Sequence, residues 1–317
     1  MYSTLIIFKE GMNTLDLSVI FSTYKSEAIL EKSLQAYCAI KTDLQWELII
    51  IDNACRKNTL ALIQRYQEHL PIVFLEQPIL GKNNALNKGL PLTKSDLIFF
   101  TDNDITPASD IIDVYVNAGK KYHEFDIFSG KILPDIEMPK WIGITFSHIQ
   151  SAFGILNVGK EDQEVDPVSK VWGGNMAIRK SVFDKGFIFN DKIGPKGNNY
   201  IMGSESELLQ RLKKLNYRAM YIAGLSVQHQ IRDEQLSVTW LVKRAFRSGK
   251  GQGFRDESNQ NATMLFGFPR FYLRKLLGEL FGFLVYLLLF SKGKTCQAMM
   301  SISYSYGKIH GAMLRYN

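Results

Sequence analysis

The chain has 317 residues, 46% of them apolar, which is enough for a buried core in one large or two modest domains; 38 Lys and Arg against 31 Asp and Glu leave a net charge of +7. That composition excludes a disordered chain, a collagen and a coiled coil. The three cysteines, Cys38, Cys55 and Cys296, stand far apart, which excludes a disulfide framework or a Cys-rich zinc site and suits a reducing compartment.

Met1 to Asp16 has no basic start, long apolar stretch and small-residue cleavage site, so the expected location is the cytoplasm. From Leu17 a pattern repeats. Apolar runs at Leu17–Phe21, Trp46–Ile51, Ile72–Leu75 and Leu97–Phe100 alternate with helical stretches from Glu27 to about Ala39, Thr59 to His69 and Asn83 to Leu90. Short apolar runs between amphipathic segments predict β-α units on a mostly parallel, Rossmann-like sheet with helices on both faces, the α/β class. Further on, Val171–Ile178 predicts a strand entered through a glycine pair and Glu205–Asn216 a helix. Tyr217–Ala223 predicts another strand and Leu236–Ser248 another helix. The loop Asn190–Gly203, with three glycines and Pro195, is a candidate lid.

In such a sheet ligands bind beyond the carboxyl ends of the strands. No glycine follows the first run and Gly81-Lys82-Asn83 is no P-loop, so both common nucleotide folds are disfavoured. The fourth run ends instead in Asp102-Asn103-Asp104. Alternate strand residues point the same way at roughly 6.6 Å spacing, which would aim both carboxylates into one crevice. Hard carboxylate oxygens suit Mg²⁺ or Mn²⁺ together with substrate phosphates; the other reading is a turn. Asp52 likewise either serves a ligand or starts a turn at Asn53. His229 is either a metal ligand or a core histidine bonded to a carbonyl.

Segments 18–27, 49–53, 81–90, 98–104, 174–179, 203–212 and 227–229 follow one another in an order that resembles the family 2 glycosyltransferases, over roughly residues 17–250. The resemblance implies the GT-A nucleotide-sugar-binding fold and a nucleotide-sugar donor, a UDP-sugar first. It implies that Thr23, Tyr24 and Glu27 line the base and ribose, that Asp52 bonds the base, and that Gly81, Lys82 and Asn87 lie along the nucleotide sugar. Asp102 and Asp104 match the metal-diphosphate pair with Asn103 between them, and His229 a histidine that joins the metal, Mn²⁺ or Mg²⁺. Lys82 has an alternative as a solvated turn lysine. Trp172, Gly173, Gly174 and Asn175 would lie near the donor sugar and acceptor, with Trp172 equally a core residue.

The pattern departs at Gly203-Ser-Glu-Ser-Glu207: Ser204 stands where the family commonly has Glu, and Glu205 where it has Asp. Glu205 is then the general base, with Glu207 its competitor and an ordinary first-turn acid as the other reading. The implied reaction is an inverting single displacement onto a saccharide or lipid-linked saccharide in cell-surface polysaccharide or glycolipid synthesis. A non-catalytic nucleotide-sugar- or saccharide-binding scaffold and a nucleotidyltransferase of related fold are the competing readings.

From Ala262 onward seven basic residues (Arg270, Arg274, Lys275, Lys292, Lys294, Lys308, Arg315) meet one acid, Glu279. Between them Leu280–Phe290 is apolar but shorter than the about 20 residues a bilayer crossing needs. The expectation is a helix lying on the cytoplasmic membrane surface, with a buried core or dimer helix as the alternative. Nucleic acid is not an expected partner. The expected domains are a GT-A domain over residues 1–255, with halves 1–130 and 131–255, and a basic apolar extension over 256–317.

Overall fold

The computed structural model describes residues 15–142, 147–195, 200–256, 262–288 and 292–316. The apolar run 280–290 and the candidate lid therefore each lie partly outside the described residues, as does most of the N-terminal stretch. The chain forms two compact units: residues 1–135, 154–191 and 204–230 make the first, and 136–153, 192–203 and 231–317 the second.

The first unit alternates as its sequence predicts: β1 (Leu17–Thr23), α1 (Glu27–Cys38), β2 (Trp46–Asp52), α2 (Lys57–Tyr66), β3 (Ile72–Glu76), α3 (Lys82–Gly89) and β4 (Leu97–Phe100). It continues through β5 (Ile105–Pro107), α4 (Ile111–Lys121) and β6 (Ile127–Pro134). In the second unit α5 (Ser147–Ala152) follows; β7 (Gln163–Val165), α6 (Pro167–Lys170), β8 (Met176–Arg179), α7 (Lys180–Asp184), α8 (Ser204–Lys214) and β9 (Ala219–His229) then complete the first. The sheet order is β3-β2-β1-β4-β8-β6-β9-β5, with β7 on β9. The first four strands are parallel to one another, while β8 enters antiparallel between β4 and β6.

Side-chain alternation explains why these strands are apolar throughout. Leu17, Val19 and Phe21 point into one cluster with Leu30 and Leu34 of α1 and Ile112 and Tyr115 of α4. Ile20, Ile49, Ile51 and Phe100 point into another, with Leu86 of α3 and Leu208 and Leu212 of α8. A sheet buried on both faces needs apolar residues at every position, and the exceptions gather at the strand ends.

The second unit is helical: α9 (Val238–Arg255), a hairpin of β10 (Met264–Leu265) and β11 (Phe268–Pro269), α10 (Arg270–Leu288) and α11 (Lys292–Tyr316). Helix α9, expected with the GT-A domain, clusters with the C-terminal helices instead. The reason lies in its glycines. A Cβ on Gly249 or Gly253 would collide with the carbonyls of Tyr304 and Lys308, and one on Gly307 or Gly311 with those of Phe246 and Lys250. Both helices thus present glycine at four-residue spacing and pack backbone against backbone. Asp256 closes the end of α9: its carboxylate accepts from Tyr272 Oη at 2.8 Å and pairs with Lys308 at 3.4 Å.

Along α10, Leu277, Phe281, Leu284 and Leu288 are 59%, 71%, 56% and 76% exposed. Their spacing puts them on one apolar stripe of the helix. Among the described residues no helix is long and apolar enough to cross a membrane.

Candidate active site

Beyond the carboxyl ends of β2, β3 and β4 the chain turns three times, and each turn is fixed by an asparagine or aspartate. After β2, Asp52 is buried and its two carboxylate oxygens accept from the backbone N–H of Ala54 and Arg56, both at 2.8 Å. This is the turn role open to the residue type. Its neighbour Asn53, which sequence reasoning passed over, is a clamp. Its Nδ2 donates to the carbonyls of Gln77 at 2.7 Å and Ile79 at 2.8 Å, and its Oδ1 accepts from Gly81 N at 2.7 Å. Gly81 sits at φ +132°, a backbone conformation side chains disfavour, and launches α3 with Lys82 as its first residue.

The Asp102–Asp104 segment differs from its expected geometry. Strand β4 stops at Phe100, and a turn bond from Ile105 N to Asp102 O at 3.2 Å reverses the chain. The two acids are brought near one another by that turn, not by strand alternation. Asn103 tethers it: Nδ2 donates to Ser26 Oγ at 2.5 Å, and its carbonyl accepts from Ser33 Oγ at 2.9 Å. On the other side Ile105 pairs with His229 in the β5–β9 ladder, which sets His229 Nε2 3.3 Å from Asp104 Oδ2.

Lys82 joins the remaining acids. Its Nζ lies 2.6 Å from Asp102 Oδ1 and 2.6 Å from Glu205 Oε1, with the three side chains 17%, 34% and 20% exposed. Burial disfavours the Lys82 ammonium, yet Asp102 and Glu205 outweigh it and hold the ammonium well above the usual lysine range. Burial, with Asp104 and Glu205 adding to it, keeps the Asp102 carboxyl above its ordinary value despite Lys82. A solvated turn lysine is thereby excluded. Gly173 completes the arrangement, since a Cβ there would lie 2.5 Å from Glu205 Oε1. Glu207 is held by Arg211, which donates to both its oxygens at 2.9 Å, so Glu205 is the acid of the pair that faces Lys82.

Two expected site residues turn out to be internal braces. Asn87 donates to Phe189 O at 2.8 Å and accepts from Phe189 N at 3.0 Å, so both ends of its amide tie α3 to the 187–190 segment. Asn175 is fully buried, accepts from Tyr115 Oη at 2.6 Å and donates to Lys131 O at 2.8 Å. A buried amide with every partner inside the protein has no reach to a sugar. Trp172 packs on the core of the first unit while its indole N–H donates to Ser169 O at 3.2 Å. Gly174 lends its carbonyl to Thr101 Oγ1 at 3.0 Å. Glu27 is bonded to Arg56 and Thr59, Thr23 is buried, and Tyr24 stays half exposed at the rim.

A divalent ion fits these donors in a particular way. Among the described residues no three His, Cys, Asp or Glu side chains converge to cage a metal on their own. Asp104 and His229 lie 3.3 Å apart with Asp102 in the same turn, so carboxylate oxygens and an imidazole nitrogen, donor types that divalent ions accept alongside ligand phosphates, stand close together.

The model for "Glycosyl transferase family 2" matches residues 18–187, more than half of the chain. The chain belongs to glycosyltransferase family 2. Among curated relatives, the uncharacterized glycosyltransferase YfnE of Bacillus subtilis strain 168 is 27% identical over 105 residues, 32% of this chain and 26% of that protein. Chondroitin synthase of Pasteurella multocida strain Pm70 is 29% identical over 93 residues, 29% of this chain and 10% of that one. The chain thus aligns with about a quarter or less of the length of these relatives. Among solved structures, mannosyltransferase PcManGT from Pyrobaculum calidifontis, in complex with GDP-Man and Mn²⁺, is 16% identical with a TM-score of 0.59, over 93% of this chain and 86% of that one. S. aureus TarS 1–349 in complex with UDP-GlcNAc is 13% identical with a TM-score of 0.53, over 92% and 91%. This family 2 glycosyltransferase has the GT-A fold.

Proposed function

We propose that the chain transfers a sugar, with inversion, from a nucleotide-sugar donor, a UDP-sugar first, to a hydroxyl of a saccharide or lipid-linked saccharide in cell-surface polysaccharide or glycolipid synthesis. The observation that carries this reading is the convergence of Asp102, Lys82 and Glu205 beside the Asp104–His229 pair. Glu205 takes the proton of the acceptor hydroxyl as its oxygen bonds to the anomeric carbon. The bond from that carbon to the phosphate oxygen breaks, and its electron pair leaves with the nucleoside diphosphate. Mn²⁺ or Mg²⁺, when held by Asp104, His229 and Asp102, supplies positive charge to the departing diphosphate. GDP-Man with Mn²⁺ in PcManGT and UDP-GlcNAc in TarS support this donor class and a metal.

The test is a panel of UDP- and GDP-sugars incubated with saccharide and lipid-linked acceptors. Nucleoside diphosphate release is expected with Mn²⁺ or Mg²⁺ and its loss with EDTA, and proton NMR should show a β-linked product from an α-linked donor. Donor binding without turnover across the panel would favour the scaffold; a retained configuration would remove the single displacement.

The reading extends to the membrane. We infer attachment at the inner face of the cell membrane through α10, supported by its stripe of Leu277, Phe281, Leu284 and Leu288 and by Arg270, Arg274, Lys275, Lys292 and Lys294 around it. Burying an apolar side chain of this size is worth about 1.5–3 kcal/mol, so Phe281→Glu is expected to weaken co-sedimentation with phosphatidylglycerol vesicles by at least about tenfold. Equal sedimentation of both proteins would discard the stripe as the anchor.

A further inference from the structure

Lys82 stands where two other groups are needed. The Asp102 carboxylate it holds is one of those proposed above for a divalent ion, and the Glu205 carboxylate it holds is the one proposed to accept a proton. Asp102 feels Asp104 and Glu205 as like charges, and the Lys82 ammonium lies between Asp102 and Glu205. Taking that ammonium away without replacing it would remove the attraction that both carboxylates share with it, which is unfavourable.

We infer that Lys82 is a placeholder cation. It binds Asp102 to Glu205 until a nucleoside diphosphate group arrives with its divalent ion, then transfers to the diphosphate, freeing Asp102 for the ion and Glu205 for the acceptor hydroxyl. This inference rests on the function proposed above. The moving part is the side chain alone: the backbone at Gly81 is pinned by Asn53, whereas four methylenes let the ammonium swing. A divalent ion alone offers Lys82 no new anion, so it competes poorly for Asp102. Ion and diphosphate together do, so the two ligands must bind with positive coupling that passes through Lys82. Lys82 is in this sense a positioning residue for both the ion and the base.

The experiment titrates Mn²⁺, read by the electron paramagnetic resonance of the free ion, with and without UDP. It compares the wild type, Lys82→Met, Lys82→Arg and Lys88→Met; Lys82→Gln replaces the Met variant if that one does not fold. Mn²⁺ alone is expected to bind Lys82→Met about tenfold tighter than wild type, and the enhancement by UDP to shrink by the same factor. Lys82→Arg should keep the wild-type pattern. Lys88, whose ammonium donates to the Glu76 carbonyl, controls for net charge, and its replacement should change neither quantity. Unchanged or weaker Mn²⁺ binding by Lys82→Met, or an equal gain from Lys88→Met, overturns the inference while the proposed activity stands. A wild type that binds Mn²⁺ and UDP neither separately nor together removes both.

Discussion

Glu205→Gln is expected to lower the turnover number for sugar transfer by roughly 10²–10⁴-fold, the range over which a positioned general base acts. The substitution is nearly isosteric, and the amide oxygen can still accept from Lys82, so donor affinity should change little. The loss should therefore fall on turnover and on its ratio to KM alike, the signature of an interaction made in the transition state. Glu207→Gln is the matched control: its carboxylate is occupied by Arg211 one helical turn on, and its removal should leave turnover near wild type. Steady-state kinetics on both variants decides the matter. Substantial turnover by Glu205→Gln with loss in Glu207→Gln would reverse the assignment.

The other large effect is on stability. Gly311→Val puts a branched side chain where the carbonyl of Lys250 already sits, and neither helix backbone can yield without α9 and α11 moving apart. Overpacking of this kind costs up to about 3 kcal/mol, occasionally more. A fall of that size in urea-unfolding stability is expected. Gly278→Ala on α10, with nothing within 4 Å of the added Cβ, should instead gain the roughly 0.5–1 kcal/mol that alanine holds over glycine in a helix interior. Equal responses at the two positions would mean that the close approach of α9 and α11 is not what makes Gly311 necessary.

Strand positions were legible because burial on both faces demands unbroken apolar runs, and the polar residues that end them mark the ligand-binding edge. That logic pointed to Asp52, Asp102 and Asp104 from the chain alone, whereas Glu205, in the first turn of α8, came only from the family resemblance. It did not find the Lys82 bridge, because Lys82 and Glu205 are 123 residues apart and only the fold brings them within bonding distance. Asn87 and Asn175 were assigned to ligands for the converse reason: a sequence shows an amide but not that Phe189, Tyr115 and Lys131 already satisfy it. The strand-alternation argument for Asp102 and Asp104 took a wrong route, since the turn closing on Ile105 sets their proximity. The α9–α11 pairing left a readable mark: Gly249 with Gly253 and Gly307 with Gly311 repeat one four-residue spacing in two separate helices.

The order in which the two units use the chain has a practical consequence for dissection. The polypeptide passes from one unit to the other five times, at 135/136, 153/154, 191/192, 203/204 and 230/231. A stop codon at any single position therefore cannot yield one intact unit alone. Cutting after residue 230 would keep the segments 136–153 and 192–203 but discard the helices they pack with, exposing Trp141 and Phe153, whose partners Lys292 and Trp240 would be gone. Trimming the basic apolar end to obtain a smaller enzyme is thus expected to yield insoluble protein, and point substitution is the sounder way to ask what that end contributes.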